Sequence, residues 1–171
     1  MTTQNSLNNT IGTVSQVYGA TTNLPPSFQN AQVFTKTVVL TSSQVKNLHA
    51  TPIEFIPAPS SGKIIFLLSC AISLEYGGTN AFTAGASQSI NLYYGSTSGT
   101  PACQNPILTA SSISATVNKT LFFWIIPTAA IASNLYETLN IIIYQDKATE
   151  VSGNAANNNT ISITAFYQIV G

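Results

Sequence analysis

Apolar and polar residues alternate along this chain in short runs, and no run keeps a helical spacing for long. The clearest alternation is at the C-terminal end. Ile161, Ile163, Ala165, Tyr167 and Ile169 fall on one side of an extended segment, and Ser162, Thr164, Phe166, Gln168 and Val170 on the other. Thr160–Val170 is therefore predicted as a strand. Val33–Leu40, rich in Val and Thr, alternates less perfectly and is predicted as another. Ile53–Ile56 is a brief strand between prolines. Lys63–Tyr76 is the longest candidate: Ile64-Ile65-Phe66-Leu67-Leu68 is apolar on both faces, and Ala71–Tyr76 then alternates, as in a strand that starts buried and ends at the surface. Ile90–Tyr94, Leu121–Ile126 and Thr138–Gln145 complete the set.

The connections carry turn chemistry. Pro57-Ala58-Pro59-Ser60-Ser61-Gly62 and Gly77-Gly78-Thr79-Asn80 bracket the longest strand. Val151–Asn159, with its Gly and run of Asn, reads as a hairpin tip or loop, because Gly and Asn tolerate positive φ. One short helix is predicted after Thr41-Ser42-Ser43-Gln44: Thr41 or Ser42 caps it, Gln44 or Val45 begins its turn, and Thr51-Pro52 stops it. Ala129–Leu135 is a helical turn or a loop. About eight strands with little helix and no βαβ alternation imply an all-β sandwich or jelly roll, since each sheet must bury one face.

Residues 1–32 differ from this body. They hold no charged side chain, are rich in Asn, Thr, Ser and Gln, and end after Leu24-Pro25-Pro26. They are read as an extended N-terminal arm, with the domain proper at 33–171. Val14–Tyr18 could add a strand to a neighbour's sheet edge; a frayed terminus is the plainer alternative. With neither a basic n-region nor an apolar h-region, the start is not read as a secretory signal.

Charge changes the picture most. Asp, Glu, Lys and Arg are 6% of the chain, five acids against five Lys with no Arg, for a formal net charge of zero; an ordinary domain has about 25%. Polarity comes instead from 22 Thr, 19 Ser and 16 Asn. Such a surface has little electrostatic repulsion to keep copies apart, which favours assembly over a bland solvated exterior. Nucleic acid and anionic membranes are excluded as partners, because both are bound through clustered Lys and Arg. No apolar run approaches a bilayer span.

Candidate chemistry is sparse, and no catalytic, cofactor-binding or metal-binding residue is assigned. The single His, His49, lies in no nucleophile-elbow motif and reads as a hydrogen-bonded residue at a helix end. One His and the distant Cys70 and Cys103 are too few for zinc, and the two Cys read as unpaired thiols, with Cys70 buried. Glu54, Glu75, Glu137, Asp146 and Glu150 are the only carboxylates; nothing links Glu54 and Glu75 as a glycosidase pair, and Asp146 with Glu150 reads as a solvated turn, not a calcium site. No phosphate-binding motif occurs. The sequons at Asn8, Asn118 and Asn158 read as accidents of an Asn- and Thr-rich chain. Tyr76, Tyr93 and Tyr94, in or beside the uncharged stretch 76–118, are the candidates for stacking on a sugar, though Tyr is as common at protein contacts.

The stretch VVLTSSQVKNLHATPIEFIPAP, from Val38 to Pro59, followed by Gly62-Lys63-Ile64-Ile65, resembles small structural proteins of tailed-bacteriophage virions. So does the ending from Asn159 to Val170. The similarity covers roughly residues 33–76 and 138–171, and it carries no functional residues. It implies a virion component; the few chemical groups imply no enzymatic activity and no cofactor. The small all-β body and the arm favour a capsid cement (decoration) protein on the capsid exterior, bound at capsomer junctions to the major capsid protein and to copies of itself as a homotrimer. The alternative is a tail, baseplate or fibre module that binds host-surface glycan or other tail proteins.

Overall fold

The computed structural model describes residues 32–103, 106–124 and 136–171. The expected arm, apart from its last residue, and the segment Ala129–Leu135 lie outside the described residues. The body opens as expected with strand β1, Val33–Leu40. Helix α1 follows at Ser42–Lys46, two or three residues earlier than predicted. Thr41 is its N-cap: the Thr41 hydroxyl accepts from the Gln44 amide, and the Gln44 side chain accepts from the Thr41 amide, so two otherwise orphaned donors are satisfied. Val45 and Leu48 go into the core from this short helical segment.

The remaining elements are β2 (Ile53–Ile56), β3 (Ile64–Glu75), β4 (Phe82–Thr83), β5 (Ser89–Tyr94), β6 (Leu108–Thr109), α2 (Ala110–Ile113), β7 (Lys119–Trp124), β8 (Ile141–Gln145), β9 (Ser152–Gly153) and β10 (Thr160–Val170). Strand β7 begins two residues before the predicted Leu121, and positions 125 and 126 lie outside the described residues.

The pairing is nested. β1 pairs with β10, β2 with β8, β3 with β7 and β5 with β6, all antiparallel, so each early strand finds a later one across the middle of the chain. Two further pairings, β10 with β3 and β5 with β8, join these pairs side by side. The result is two four-stranded sheets, ordered β1-β10-β3-β7 and β2-β8-β5-β6, with a small β4-β9 pair beside them. A long hairpin of four strand pairs rolled into two facing sheets is the jelly-roll arrangement, and the chain is an all-β sandwich of that kind. Between the sheets lie Leu40, Ile65, Ile72, Leu74, Ile161 and Ile163 from the first and Phe55, Ile90, Leu92, Ile141 and Ile143 from the second, each 1% exposed or less.

The predicted alternation of β10 holds through Ile161, Ile163 and Ala165, all fully buried. It fails at the end, where Val170 and not Ile169 is buried. A β-bulge explains a second irregularity. Phe166 opposes Ser69 while Tyr167 opposes Leu67, so Leu68 is the extra residue on β3. The bulge switches the inward set of β3 from Ile65 and Leu67 to Cys70, Ile72 and Leu74, which is why the sequence reads apolar on both faces there.

The segment predicted as a hairpin tip, Val151–Asn159, holds the expected positive φ angles at Gly153, Asn154 and Asn157. It is not a solvated loop, however. Asn154 and Asn159 are 0% and 1% exposed. The Asn154 carboxamide oxygen accepts from the Ser42 hydroxyl (2.7 Å) and the Asn159 amide (3.1 Å), and its nitrogen donates to the Asn80 carbonyl (2.7 Å) and to Asn158 (3.0 Å). Asn159 accepts from the Gly77 amide and donates to the Asn80 carbonyl, and Asn158 donates to the Gly77 carbonyl and to Thr79. A polar knot thus ties α1, the 77–80 turn and the approach to β10. Gly77 is required there, because a Cβ would stand 2.3 Å from the Asn158 side chain.

Gln145 is the contrast. It is fully buried, and neither its carboxamide oxygen nor its nitrogen has a hydrogen-bond partner among the described residues. Buried polar atoms without partners cost stability, and removing one member of a satisfied network costs it too. Asn154→Gly keeps the backbone angle but strands its partners, and it should lower the unfolding free energy by about 2–4 kcal/mol. Gln145→Met should raise it by about 1–2 kcal/mol. Urea unfolding of the two variants beside the parent checks both signs; a destabilised Gln145→Met would show that the carboxamide is satisfied.

Candidate interaction surface

The outward face of the first sheet is nearly uniform in its polar chemistry. Across β1, β10, β3 and β7 its rows read Thr35–Phe166–Ser69–Trp124, then Thr37–Thr164–Ala71–Phe122, then Val39–Ser162–Ser73–Thr120. No residue in these rows is charged; Glu75 lies beyond them, at the end of β3. The hydroxyls bond to one another across the strands, Thr37 to Thr164 at 2.8 Å and Ser73 to Thr120 at 3.0 Å. Two aromatic side chains stand out from this face, Phe122 at 79% exposed and Phe166 at 37%, with Val39 at 56% on the edge strand β1. An ordinary surface row of this length would include Lys or Glu.

The outward face of the second sheet is different. It carries Tyr93 of the expected candidates, together with His49, whereas Tyr76 lies apart, just beyond β3. Tyr93 and Tyr144 meet edge to face with centroids 5.8 Å apart, and His49 lies tilted against Tyr144 at 5.1 Å. His49 sits just beyond α1, and its Nδ1 is 2.9 Å from both the Gln145 carbonyl and the Tyr144 hydroxyl. This is the hydrogen-bonded His at a helix end that the sequence predicts.

The carboxylates are spent locally. Glu150 accepts from the His49 and Ala50 amides (3.2 and 2.8 Å) and so ties the turn after α1 to the end of β8. Asp146 accepts from the amide and hydroxyl of Ser89 (2.9 and 2.8 Å). The expected solvated turn is therefore only its middle: residues 147–149 are exposed, and the flanking carboxylates turn back to clamp backbone. Glu54 accepts from Asn140 and Glu75 from Asn118. The Asn158 sequon is occupied by the knot described above. Among the described residues no group of three or more His, Cys, Asp or Glu could hold a metal ion, and no helix is long and apolar enough to cross a membrane.

One expected surface residue is interior, and Cys70 is buried as expected. Tyr94 is 6% exposed, donates to the Ile65 carbonyl at 2.8 Å and packs on Tyr136. It is a strut between the sheets and not a sugar platform. Cys70 and Cys103 are both buried, with no disulfide between them. Burial, and secondarily the neighbouring Cys103, pushes the Cys70 thiol up to about 12. Burial, with Tyr136 and Cys103 adding to it, pushes the Tyr94 phenol up to about 12. Burial and then Asp146 raise Tyr93 as well. The outward, charge-free face was the feature that sequence reading missed. The strand periodicity that could have found it was visible, but which strands lie side by side was not.

No protein-family model matches the sequence, and no curated protein matches it. Two similar solved structures are both of infectious bursal disease virus. One is the structure of its Gx strain, with 16% identity and a TM-score of 0.26. The other is its VP2 subviral particle, with 13% identity and a TM-score of 0.24. Each alignment covers 82% of this chain and 40% of the other, so the chain spans well under half the length of either. TM-scores this low do not establish a common fold.

The raised thiol and phenol set a pH dependence. Unfolded, these groups ionise near 9.0 and 10.0; folded, they stay neutral to about 12. The unfolded chain therefore loses its protons first, and the stability they contribute is complete below pH 9 and lost as pH rises towards 12, by about 1.4 kcal/mol per group and pH unit. Unfolding midpoints should coincide at pH 7 and 8 and fall at pH 10.5. Cys70→Ala should make that fall shallower.

Proposed function

We propose that this protein is a virion structural component, a capsid cement protein of a tailed bacteriophage. The observation that carries the reading is the charge-free outward face of the first sheet, set on a jelly-roll body. A neutral face whose hydroxyls already bond to one another can be covered by protein at little desolvation cost. The sequence resemblance to small tailed-phage virion proteins supports the address. In this reading the protein sits on the capsid exterior at capsomer junctions, touches the major capsid protein and copies of itself as a homotrimer, and performs no chemistry. Its effect is mechanical: each copy buries apolar area at about 25 cal/mol per Å², and many copies on one shell add up. The uncharged segment 1–32 would reach across a neighbouring subunit.

Deleting residues 1–30 should abolish attachment to shells while the thermal unfolding of the body stays unchanged. Full occupancy of shells by the shortened chain would remove the arm from the account. Antibody labelling of virions distinguishes head from tail, and label on the tail alone would overturn the cement assignment.

The second sheet favours one other reading. Tyr93, Tyr144 and His49 form a half-exposed aromatic patch, a combination suited to stacking on a sugar ring. A tail or fibre module that binds host glycan would use it. Binding to a glycan array, lost in Tyr144→Ala, is the outcome this second reading requires.

A further inference from the structure

We infer that the outward face of the β1-β10-β3-β7 sheet is a self-contact, on which a second copy of this chain seats its own identical face across a two-fold axis. This rests on the reading above and adds to its homotrimer a second, two-fold contact between copies.

The shape argument begins with Phe122 and Phe166. They stand on β7 and β10, with β3 between them, so their strands are roughly 10 Å apart. The β3 residues between them on this face are Ser69 and Ala71, among the smallest side chains available: Ser69 opposes Phe166, and Ala71 opposes Phe122. The face therefore has two knobs and a low floor. Turned through a half rotation, a second copy can set its Phe122 on that floor while its own floor receives the first copy's Phe122. This is the self-complementarity that a two-fold contact demands.

Charge selects the same occupant. A foreign protein surface, about a quarter charged, would bury its Lys and Glu against a face with no opposite charge to meet them. A second copy brings none in these rows, its Glu75 lying beyond them at the end of β3. The cross-strand bonds Thr37–Thr164 and Ser73–Thr120 mean that the hydroxyls give up little water when covered.

Area sets the strength. Four strands by about six residues present on the order of 400 Å² in projection, roughly half of what each partner of a standard interface buries. The contact is accordingly weak in free solution and gains from multiple tethering on a common support.

Sedimentation velocity of the full chain, from micromolar to millimolar concentration at low and high salt, tests this. The expected result is a reversible doubling of the mass of the basic unit, monomer to dimer or trimer to hexamer, equally strong at both salts. Phe122→Lys should weaken the doubling roughly tenfold or more, and so should Ala71→Lys on the floor, with melting temperatures near that of the parent for Phe122→Lys. Tyr144→Lys, on the opposite sheet, should leave it intact. The proposal is overturned by a constant mass up to millimolar concentration, by doubling that survives both first-sheet substitutions, or by doubling that Tyr144→Lys abolishes as well. Virion labelling can fail while the doubling is seen, and the doubling can fail while virions label, so the two readings fall separately.

Discussion

Strand β10 lies between β1 and β3 over nearly its whole length, and the rest of the sandwich is arranged around that double pairing. One of its edges satisfies the backbone of β1 and the other that of β3. Without it the first sheet would be two separated strips with open edges, and Ile161, Ile163 and Ala165 would leave the centre of the core. The nested order makes this dependence topological as well as energetic. The innermost pair, β5 with β6, joins Ser89 to Thr109, whereas the outermost joins Thr37 to Thr164, 127 residues away in sequence. Loop closure costs more with separation, though only slowly, so the inner pairs can form first and shorten the path for the outer ones. A fold dominated by such distant pairings assembles slowly, and its last segment completes it.

The buried Asn knot belongs to the same constraint. β10 can enter the sheet in register only if the chain before it is held, and Val151–Asn159 has few apolar side chains with which to pack. Asn154 and Asn159 do the holding with hydrogen bonds. They cross-link the segment to α1 and to the 77–80 turn at the moment it would otherwise leave the body. Polar residues are accepted in the interior here because nearly every donor and acceptor has a partner. Gln145, one strand away in sequence, shows the cost of the opposite arrangement.

Much of the fold was legible in the residues. The bounds of β1, β2 and β10 follow directly from their Val, Ile and Thr patterns, and the Thr41–Gln44 cap is local chemistry. What could not be read depends on residues distant in sequence. The bulge at Leu68 is a property of β3 and β10 together. The knot involves positions 42, 77–80 and 154–159, and a run of Asn looks the same in a solvated loop and in a buried network. Tyr94 looked like a surface ring because its neighbours are uncharged and polar, yet that stretch is uncharged because β5 is buried along most of its length. No chemical site was expected, from the numbers of groups alone. Among the described residues, four of the five carboxylates accept from backbone amides or Asn side chains.

The scarcity of charge then has a consistent meaning across the molecule. Asp146 and Glu150 clamp backbone, and Lys46 is bound to Asn157 at 2.6 Å. What these few ions do is hold turns in place. Solubility and contact are left to Thr, Ser and Asn, which satisfy one another in the plane of the first sheet and in the knot. A surface built this way has no long-range field, so it cannot steer a partner from a distance or reject one by repulsion. It discriminates only at contact, by shape and by whether the partner's own polar groups are already paired. Association through such a surface is insensitive to salt and slow to find its orientation, and it is selective chiefly for other neutral faces. A component placed beside many copies of one regular neighbour, as proposed above, would need only those properties, since concentration would do the work that charge otherwise does.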